Sequence, residues 1–148
     1  MADEPVQLPA DVADFLAAHT RAFLLTRRRD GAPTIHPMTA FSANGRVVFN
    51  TYRKSAKTRN VERDPRAAVV VVDGYHAKGD PVEAVTLRGS AIVRAGVPPV
   101  PTGGAAEEAP RVSGSVAGRV AERMASGKRI LIEITPTSVR RLVSPGVE

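Results

Sequence analysis

The sequence predicts a small antiparallel β-barrel, mainly β within the α+β class, in which six strands are accompanied by short peripheral helices. The chain of 148 residues has the length of one domain, and we assign residues 1–148 to it. Segments of strand length are joined by the tight-turn pairs Asp30-Gly31 and Asn44-Gly45, and strands joined in this way run antiparallel. Six such strands favour closure, because a closed sheet leaves no unpaired edge.

The N-terminal third predicts one helix followed by three strands. Leucine, valine and phenylalanine follow helical spacing over residues 8–18. The apolar pattern then changes to that of strands at residues 22–26, 34–42 and 46–51. Proline cannot donate a ladder hydrogen bond, so Pro37 predicts that the second of these strands lies at a sheet edge or carries a bulge.

A second helix and two further strands are predicted in the middle of the chain. Ser55 is a favourable N-cap for a helix over residues 56–63. Residues 67–72 form an alanine and valine run that predicts a strand covered on both faces. Residues 84–93 alternate between apolar and polar side chains, and Gly89 within them predicts a bulge or a sharp bend.

The C-terminal third contains the one shift in composition. Residues 97–110 are rich in proline, glycine and alanine, and they predict a flexible loop within the single domain. Valine and methionine at helical spacing predict a third helix over residues 112–125. The apolar residues 130–134 predict the last strand.

Composition excludes several classes of protein. Cysteine is absent from the sequence, which removes disulfides, thiol nucleophiles and thiolate metal sites. The acidic residues 1–5 are unlike a signal peptide, and no apolar run approaches the length of about 20 residues that a membrane span needs. We therefore expect a cytoplasmic protein without a membrane partner. The net charge of +6 is scattered and only 4% of the residues are aromatic, so no nucleic-acid partner is expected.

The histidines do not predict a metal site. His19, His36 and His76 lie in different predicted elements, with no ligand spacing between them. Glycine-rich dinucleotide-binding and phosphate-loop motifs are absent from the sequence as well. The sequence therefore predicts neither a metal site nor a glycine-rich phosphate loop.

A basic segment lies between a predicted strand and the second predicted helix. Hydrogen-bonding side chains at residues 50–52 end a predicted strand, and Arg53, Lys54, Lys57 and Arg59 surround the start of the following helix. Free N–H groups and the helix dipole favour an anion at this position, and the basic side chains add full positive charge. The segment therefore suits a phosphate monoester, and the alternative is a short surface helix with solvated basic residues.

The run SAKTRNVERDPRA at residues 55–67 resembles the signature of the split β-barrel flavin/deazaflavin oxidoreductases. These proteins belong to the pyridoxamine 5′-phosphate oxidase-like superfamily. Flanking segments are similar to those of the family as well, namely PTIHPM at 33–38, VTLRGSA at 85–91 and IEITP at 132–136. The Lys-x-Arg-Asn and Asp-Pro-Arg pattern resembles the branch of the superfamily that is rich in proteins using the deazaflavin coenzyme F-420.

The resemblance implies an FMN-binding-like split barrel that forms a homodimer, with cofactor sites at the subunit interface. It implies an oxidoreductase that transfers a hydride from reduced coenzyme F-420 to an unsaturated or conjugated small molecule. The alternatives are an FMN-dependent oxidase or reductase of the same fold and a non-enzymatic barrel that binds a flavin-like ligand. The fold alone does not decide among them.

The same resemblance implies roles for individual residues. Lys57 would contact the cofactor phosphate, with help from Ser55 and Arg59. The ring of the cofactor would be lined by Pro37, Met38 and Thr39, and its ribityl chain by Asn50 and Thr51. Asn60 is expected to brace the helix against the barrel. The reaction requires no proton-donating side chain if the product anion takes its proton from water. If a side chain does donate, the candidates by location are Tyr52 and His36.

Overall fold

A computed structural model of the protein describes residues 3–74, 77, 79–97 and 127–144. Within these residues the chain forms two α-helices and seven β-strands. In chain order the elements are α1 (Ala10–Ala18), β1 (Arg21–Arg27), β2 (Pro33–Thr39), β3 (Phe41–Ala43), β4 (Arg46–Tyr52), α2 (Ala56–Arg63), β5 (Arg66–Val72), β6 (Val82–Arg94) and β7 (Arg129–Ser144). The predicted loop over 97–110, apart from Val97, and the predicted helix over 112–125 lie outside the described residues. Neither of the two described helices has the length and apolar character to cross a membrane.

The strands form one antiparallel sheet with the order β2-β1-β5-β6-β7-β4-β3. Its two edge strands, β2 and β3, are separated in the chain by Ala40 alone. The sheet must therefore curl to bring its edges together, and it forms a half-barrel. This confirms the predicted mainly β, antiparallel split-barrel fold class.

The sheet has seven strands where the sequence predicts six, because the alternating segment 34–42 divides at Ala40. The backbone N–H of Ala40 donates to the carbonyl oxygen of Thr20 at 2.8 Å. Before this point β2 pairs with β1, and after it β3 pairs with β4 at the opposite edge of the sheet. β2 is an edge strand, as Pro37 predicts.

Both predicted tight turns are confirmed. Asn44 and Gly45 join β3 to β4, and their φ angles are 52° and 74°. A type I′ turn requires positive φ at both positions, which asparagine and glycine adopt more readily than other residues. Gly31, with a φ of 86°, lies in the turn between β1 and β2.

Aliphatic side chains fill the inner face of the curled sheet, and α1 packs against them. Val12, Phe15 and Leu16 of α1 are buried. The fully buried side chains of the strands include Leu24, Phe49, Val69, Val85 and Ile132. α1 begins two residues later than predicted because Pro9 has an extended backbone, although Leu8 still packs against the core.

The central strands differ in detail from the prediction. β5 alternates between buried and half-buried residues after its exposed first residue. One of its faces is therefore buried in the core, and the other is only partly covered, whereas the prediction had both faces covered. β7 begins one residue before the predicted 130–134 strand, where Arg129 pairs with Tyr52 of β4, and it continues to Ser144, which pairs with Val82 of β6. The polar sequence after Ile134 lacks the alternation that would have predicted this extension.

Gly89 lies at an irregularity of β6. The register between β6 and β7 shifts between Arg88 and Gly89, which confirms the predicted bulge. A Cβ atom at Gly89 would collide with the backbone carbonyl oxygen of Thr135. The two backbones therefore approach too closely here for any larger residue.

The outer face of β7 carries a buried carboxylate. Glu133 is 6% exposed, and its carboxylate accepts a hydrogen bond from Arg46 of β4 at 2.8 Å and another from Arg94 of β6. One carboxylate thus joins three neighbouring strands, and both of its oxygens are occupied by guanidinium groups.

Candidate functional site

A group of hydroxyls fixes the turn between β4 and α2. The Oγ of Ser55 accepts a hydrogen bond from the backbone N–H of Thr58 at 3.3 Å, which makes Ser55 the predicted N-cap. The same oxygen lies 2.9 Å from the Oγ1 of Thr58 and 3.3 Å from the Oγ1 of Thr51. Thr58 also donates to the carbonyl oxygen of Tyr52 at 2.8 Å. Thr51 and Ser55 therefore shape the turn, and their contacts with a cofactor stay predictions.

Lys57 lies half-buried in the first turn of α2. Burial lowers the pKa of its ammonium group, and the nearby positive charge of Arg129 lowers it further. No carboxylate within the described ranges forms an ion pair with Lys57. Because an uncompensated, partly buried cation is unfavourable, a bound anion would stabilise this side chain.

Arg129 is a site residue that is missing from the sequence-based prediction. It is the first residue of β7 and lies opposite Tyr52 of β4, and its guanidinium carbon is 4.1 Å from the centroid of the Tyr52 ring. Its Nε is buried and has no hydrogen-bond partner in the part of the chain that the structure describes. The sequence signal is the basic pair Lys128-Arg129 before the last strand, but only strand pairing places it beside Tyr52.

His36 lies on β2, opposite the buried residue Leu24, so both side chains are on the inner face of the sheet. The Nε2 of His36 is buried and makes no hydrogen bond to any described residue. Burial lowers the pKa of the imidazole, and the positive charge of Lys57 lowers it further. The site therefore contains a neutral imidazole at neutral pH, close to a lysine.

Asn60 fixes α2 against the first two strands. It is buried, and its Nδ2 donates to the Oγ1 of Thr26 at 3.0 Å and to the Oγ1 of Thr34 at 3.4 Å. These hydrogen bonds confirm the prediction that Asn60 braces the helix against the barrel.

The contacts of α2 with β2 indicate how far the candidate site extends. Asn60 contacts Thr34, whereas Lys57, about one turn nearer the start of the helix, lies near His36. Lys57 at the start of α2 therefore interacts with a residue nearer the end of β2 than Asn60 does. His36 and Thr39 are separated by about 10 Å along the strand. A ligand that follows β2 would contact both the basic helix start and the end of the strand.

The residues implied to bind the cofactor ring border an open groove at this end of β2. Pro37, Met38 and Thr39 line it together with residues 20–23 and Val72, and its volume is about 520 Å³. Lys57 does not line this groove. The predicted ring-binding residues therefore lie apart from Lys57, the predicted phosphate-binding residue, and β2 extends between the two.

The structure also separates two pairs of residues that are close in sequence. Asn50 lies with Leu131 on the outer face of the sheet, whereas Thr51 lies on the inner face. The Oδ1 of Asn50 is buried without a hydrogen-bond partner among the described residues. Arg59 is exposed, about 200° around the helix axis from Lys57. The cofactor contacts implied for Asn50 and Arg59 stay predictions.

This donor set suits an anionic ligand with a polar chain. Lys57 and Arg129 supply positive charge, and the buried Nε of Arg129 donates to no acceptor among the residues that the structure describes. No group of three metal-ligating side chains occurs over the described ranges. The residues therefore fit the phosphate end of a flavin or deazaflavin cofactor, with the groove at Pro37 available for its ring.

The imidazole of His36 provides a direct test of this geometry. In the ligand-free protein we expect it to titrate below the ordinary pKa of 6.5, because burial and Lys57 both disfavour its protonated form. Lys57→Ala should raise this pKa partway towards the ordinary value, since burial remains. Proton NMR can follow the titration, because the sequence contains only three histidines. A His36 that titrates at or above 6.5 in the free protein would contradict the arrangement.

The comparison with known families covers nearly the whole chain. The sequence profile of the family described as pyridoxamine 5′-phosphate oxidase matches residues 8–142. Among curated proteins, none matches this sequence.

Several solved structures share the fold. The conserved hypothetical protein Rv2991 from Mycobacterium tuberculosis is 25% identical over 95% of this chain and 87% of its own, with a TM-score of 0.70. An F-420 reductase is 19% identical over 90% of this chain and 98% of its own, with a TM-score of 0.61. An FAD-binding protein from Mesorhizobium loti is 15% identical over 93% of this chain and 96% of its own, with a TM-score of 0.60.

Proposed function

This chain belongs to the pyridoxamine 5′-phosphate oxidase family, and we propose that it is an oxidoreductase that uses the deazaflavin coenzyme F-420. The proposed reaction is hydride transfer to an unsaturated or conjugated small molecule. The family is one of flavin-binding, oxidoreductase-type split barrels. The likeness to an F-420 reductase and the Lys-x-Arg-Asn and Asp-Pro-Arg pattern within residues 57–66 support the deazaflavin over FMN.

The observation that carries the proposal is the presence, beside the start of α2, of two cations that pair with no carboxylate of the described residues. Lys57 is half-buried with a lowered pKa, and Arg129 lies over the ring of Tyr52 with no described hydrogen-bond partner for its Nε. Charged donors of this kind bind phosphate oxygens with strong, short hydrogen bonds. The groove at Pro37 and Met38 lies further along β2, where the ring of the same ligand would be placed.

When bound, a reduced deazaflavin supplies a hydride from a ring carbon. The residues of the chain bind and orient this cofactor, with Lys57 at the phosphate and Met38 beside the ring. The two candidate proton donors lie on opposite faces of the sheet. His36 is paired with Leu24, which faces inward, whereas Tyr52 faces outward. Neither donor is required if the product anion takes its proton from water.

The visible spectrum of the purified protein tests the cofactor. The protein should be made in a host that lacks the deazaflavin and then titrated with coenzyme F-420 and with FMN. We expect a colourless protein that binds coenzyme F-420 more tightly than FMN and reduces members of a panel of conjugated substrates. A yellow protein with retained FMN would establish the FMN-dependent alternative. Cofactor binding without turnover of any substrate would establish the non-enzymatic alternative.

We also propose that two copies of the chain form a homodimer. Ile35 and Phe23 are 61% and 41% exposed on the outer face of β2 and β1. Phe23 lies opposite Pro37, so this apolar patch adjoins the groove that Pro37 borders. A second copy placed on the patch would cover these side chains and wall the groove.

Light scattering coupled to gel filtration tests the dimer. We expect a dimer at micromolar concentration and a shift towards monomer for Ile35→Glu, because a charge would be buried in the interface. Val143→Glu is the matched control, since Val143 is equally apolar and 58% exposed but lies near the end of β7. A wild-type protein that stays monomeric with cofactor bound would contradict the proposal.

A further inference from the structure

We infer that Arg129 is a second phosphate-binding residue of this site and that Tyr52 positions its guanidinium group. The inference rests on the proposed function, because it concerns the phosphate group of the same cofactor. It adds to the sequence-based site a residue from the opposite end of the chain.

Strand pairing brings Arg129 to the basic helix start. Arg129 lies opposite Tyr52 in the β4–β7 register, and the backbone N–H of Arg53 donates to the carbonyl oxygen of Lys128 at 2.9 Å. Three residues after Tyr52, Ser55 caps α2. The start of β7 and the start of α2 are therefore held together by backbone hydrogen bonds, which gives the two cations a fixed relation.

The ring of Tyr52 fixes the orientation of the guanidinium group. The guanidinium carbon of Arg129 is 4.1 Å from the ring centroid, within the range of a cation–π interaction. A guanidinium held over an aromatic ring through a cation–π interaction keeps its N–H groups available to an acceptor. The aromatic face thus orders the side chain without using its donors.

No carboxylate among the described residues neutralises Arg129. Glu133 lies on the same face of β7, but Arg46 and Arg94 already occupy its two oxygens. The Nε of Arg129 is buried without a hydrogen-bond partner in the described part of the chain. A buried donor is rarely left unused, so this atom indicates an acceptor that comes from a ligand.

Lys57 is close enough to Arg129 for the two positive charges to repel each other. Like charges that are held together without an anion are unfavourable, and an anion between them would relieve the repulsion. Lys57 provides a point charge, and Arg129 provides a planar pair of donors, so together they match a phosphate group better than either does alone.

Binding measurements on four variants test the inference. The variants are Arg129→Gln, Tyr52→Leu, Tyr52→Phe and, as a matched control, Arg66→Gln, which removes a guanidinium that is paired with Asp64. Each is titrated with coenzyme F-420, with FMN and with riboflavin, which has the ring and ribityl chain of FMN but no phosphate. Inorganic phosphate is tested separately by its effect on the melting temperature.

We expect Arg129→Gln to weaken binding of coenzyme F-420 and FMN by about ten-fold or more, because a charge-assisted contact is lost. Its affinity for riboflavin should not change, and inorganic phosphate should raise the melting temperature of the wild type more than that of this variant. Tyr52→Leu should weaken binding of the phosphorylated cofactors by about two- to five-fold, whereas Tyr52→Phe, which keeps the aromatic face, should bind as the wild type does.

The outcomes separate this inference from the proposed function. If Arg129→Gln binds FMN, coenzyme F-420 and inorganic phosphate as the wild type does, the role of Arg129 is refuted and the proposed function stands. If affinity for riboflavin falls as much as affinity for FMN, Arg129 is structural and the inference is refuted. If Tyr52→Leu binds normally, the positioning role is refuted. If the wild type binds inorganic phosphate through Arg129 but neither cofactor, the proposed function fails and the phosphate site remains.

Discussion

Lys57→Ala is expected to lower the affinity of the protein for its phosphorylated cofactor about ten- to hundred-fold, since a hydrogen bond to a charged group contributes about 1.5–3 kcal/mol. Lys57 lies half-buried in the first turn of α2, and none of the described carboxylates pairs with it. Folding stability should not fall, because the substitution removes a partly buried charge and its repulsion with Arg129. Equilibrium titrations of coenzyme F-420 and FMN measure the first effect, and urea unfolding measures the second.

Arg66→Ala is the matched control for Lys57→Ala. Arg66 lies just beyond the far end of α2, and its exposed guanidinium is held by Asp64, whose pKa it lowers to about 2. Cofactor affinity in this variant should stay near that of the wild type. If Lys57→Ala binds both cofactors as tightly as the parent, the segment from Ser55 to Asn60 is a structural cap and not a phosphate site.

Gly89→Ala is expected to destabilise the fold by about 3 kcal/mol, at the upper end of the usual range for overpacking. The added methyl group would collide with the carbonyl oxygen of Thr135 and would lie 2.9 Å from the Cγ2 of Ile134. Backbone atoms of a central strand cannot move aside as a flexible side chain can. The melting temperature should fall by about 10 °C, measured by circular dichroism.

Gly31→Ala separates the steric effect from the conformational one. Gly31 has a φ of 86°, and nothing lies within 4 Å of its added Cβ atom. Its substitution should cost about 1–2 kcal/mol of backbone strain alone. Equal losses for the two alanine variants would show that the close approach at the bulge does not control stability.

Local features of the fold could be predicted from the sequence because they depend on residues near one another in the chain. The Asn44-Gly45 turn, the Ser55 cap and the glycine at the bulge each follow from the backbone preference of one or two residues. The extension of β7 to Ser144 could not be predicted, because its polar residues are held by pairing with β6 and not by their own pattern. The division of the segment 34–42 at Ala40 could not be predicted either, because it depends on the strand with which each half of the segment pairs.

The candidate site could be predicted only in the part that is continuous in sequence. Ser55, Lys57 and Asn60 lie within one run whose composition already indicates an anion site and a helix start. Arg129 is far from them in the chain and reaches Tyr52 through the β4–β7 register. Its position over the Tyr52 ring and the absence of a described partner for its Nε depend on tertiary structure, so no local pattern contains this information.

The pairing of β4 with β7 has a consequence for the order of folding. Arg46 and Glu133, which join the two strands, are 87 residues apart, whereas β1 with β2 and β3 with β4 are local hairpins. Hairpins form in about 1–10 μs, but closing a long loop must first overcome a larger entropy, so β4–β7 contacts form late. During synthesis on the ribosome, Tyr52 emerges long before Arg129. A ligand that requires both Lys57 and Arg129 would therefore stabilise the barrel only after the last strand has joined the sheet.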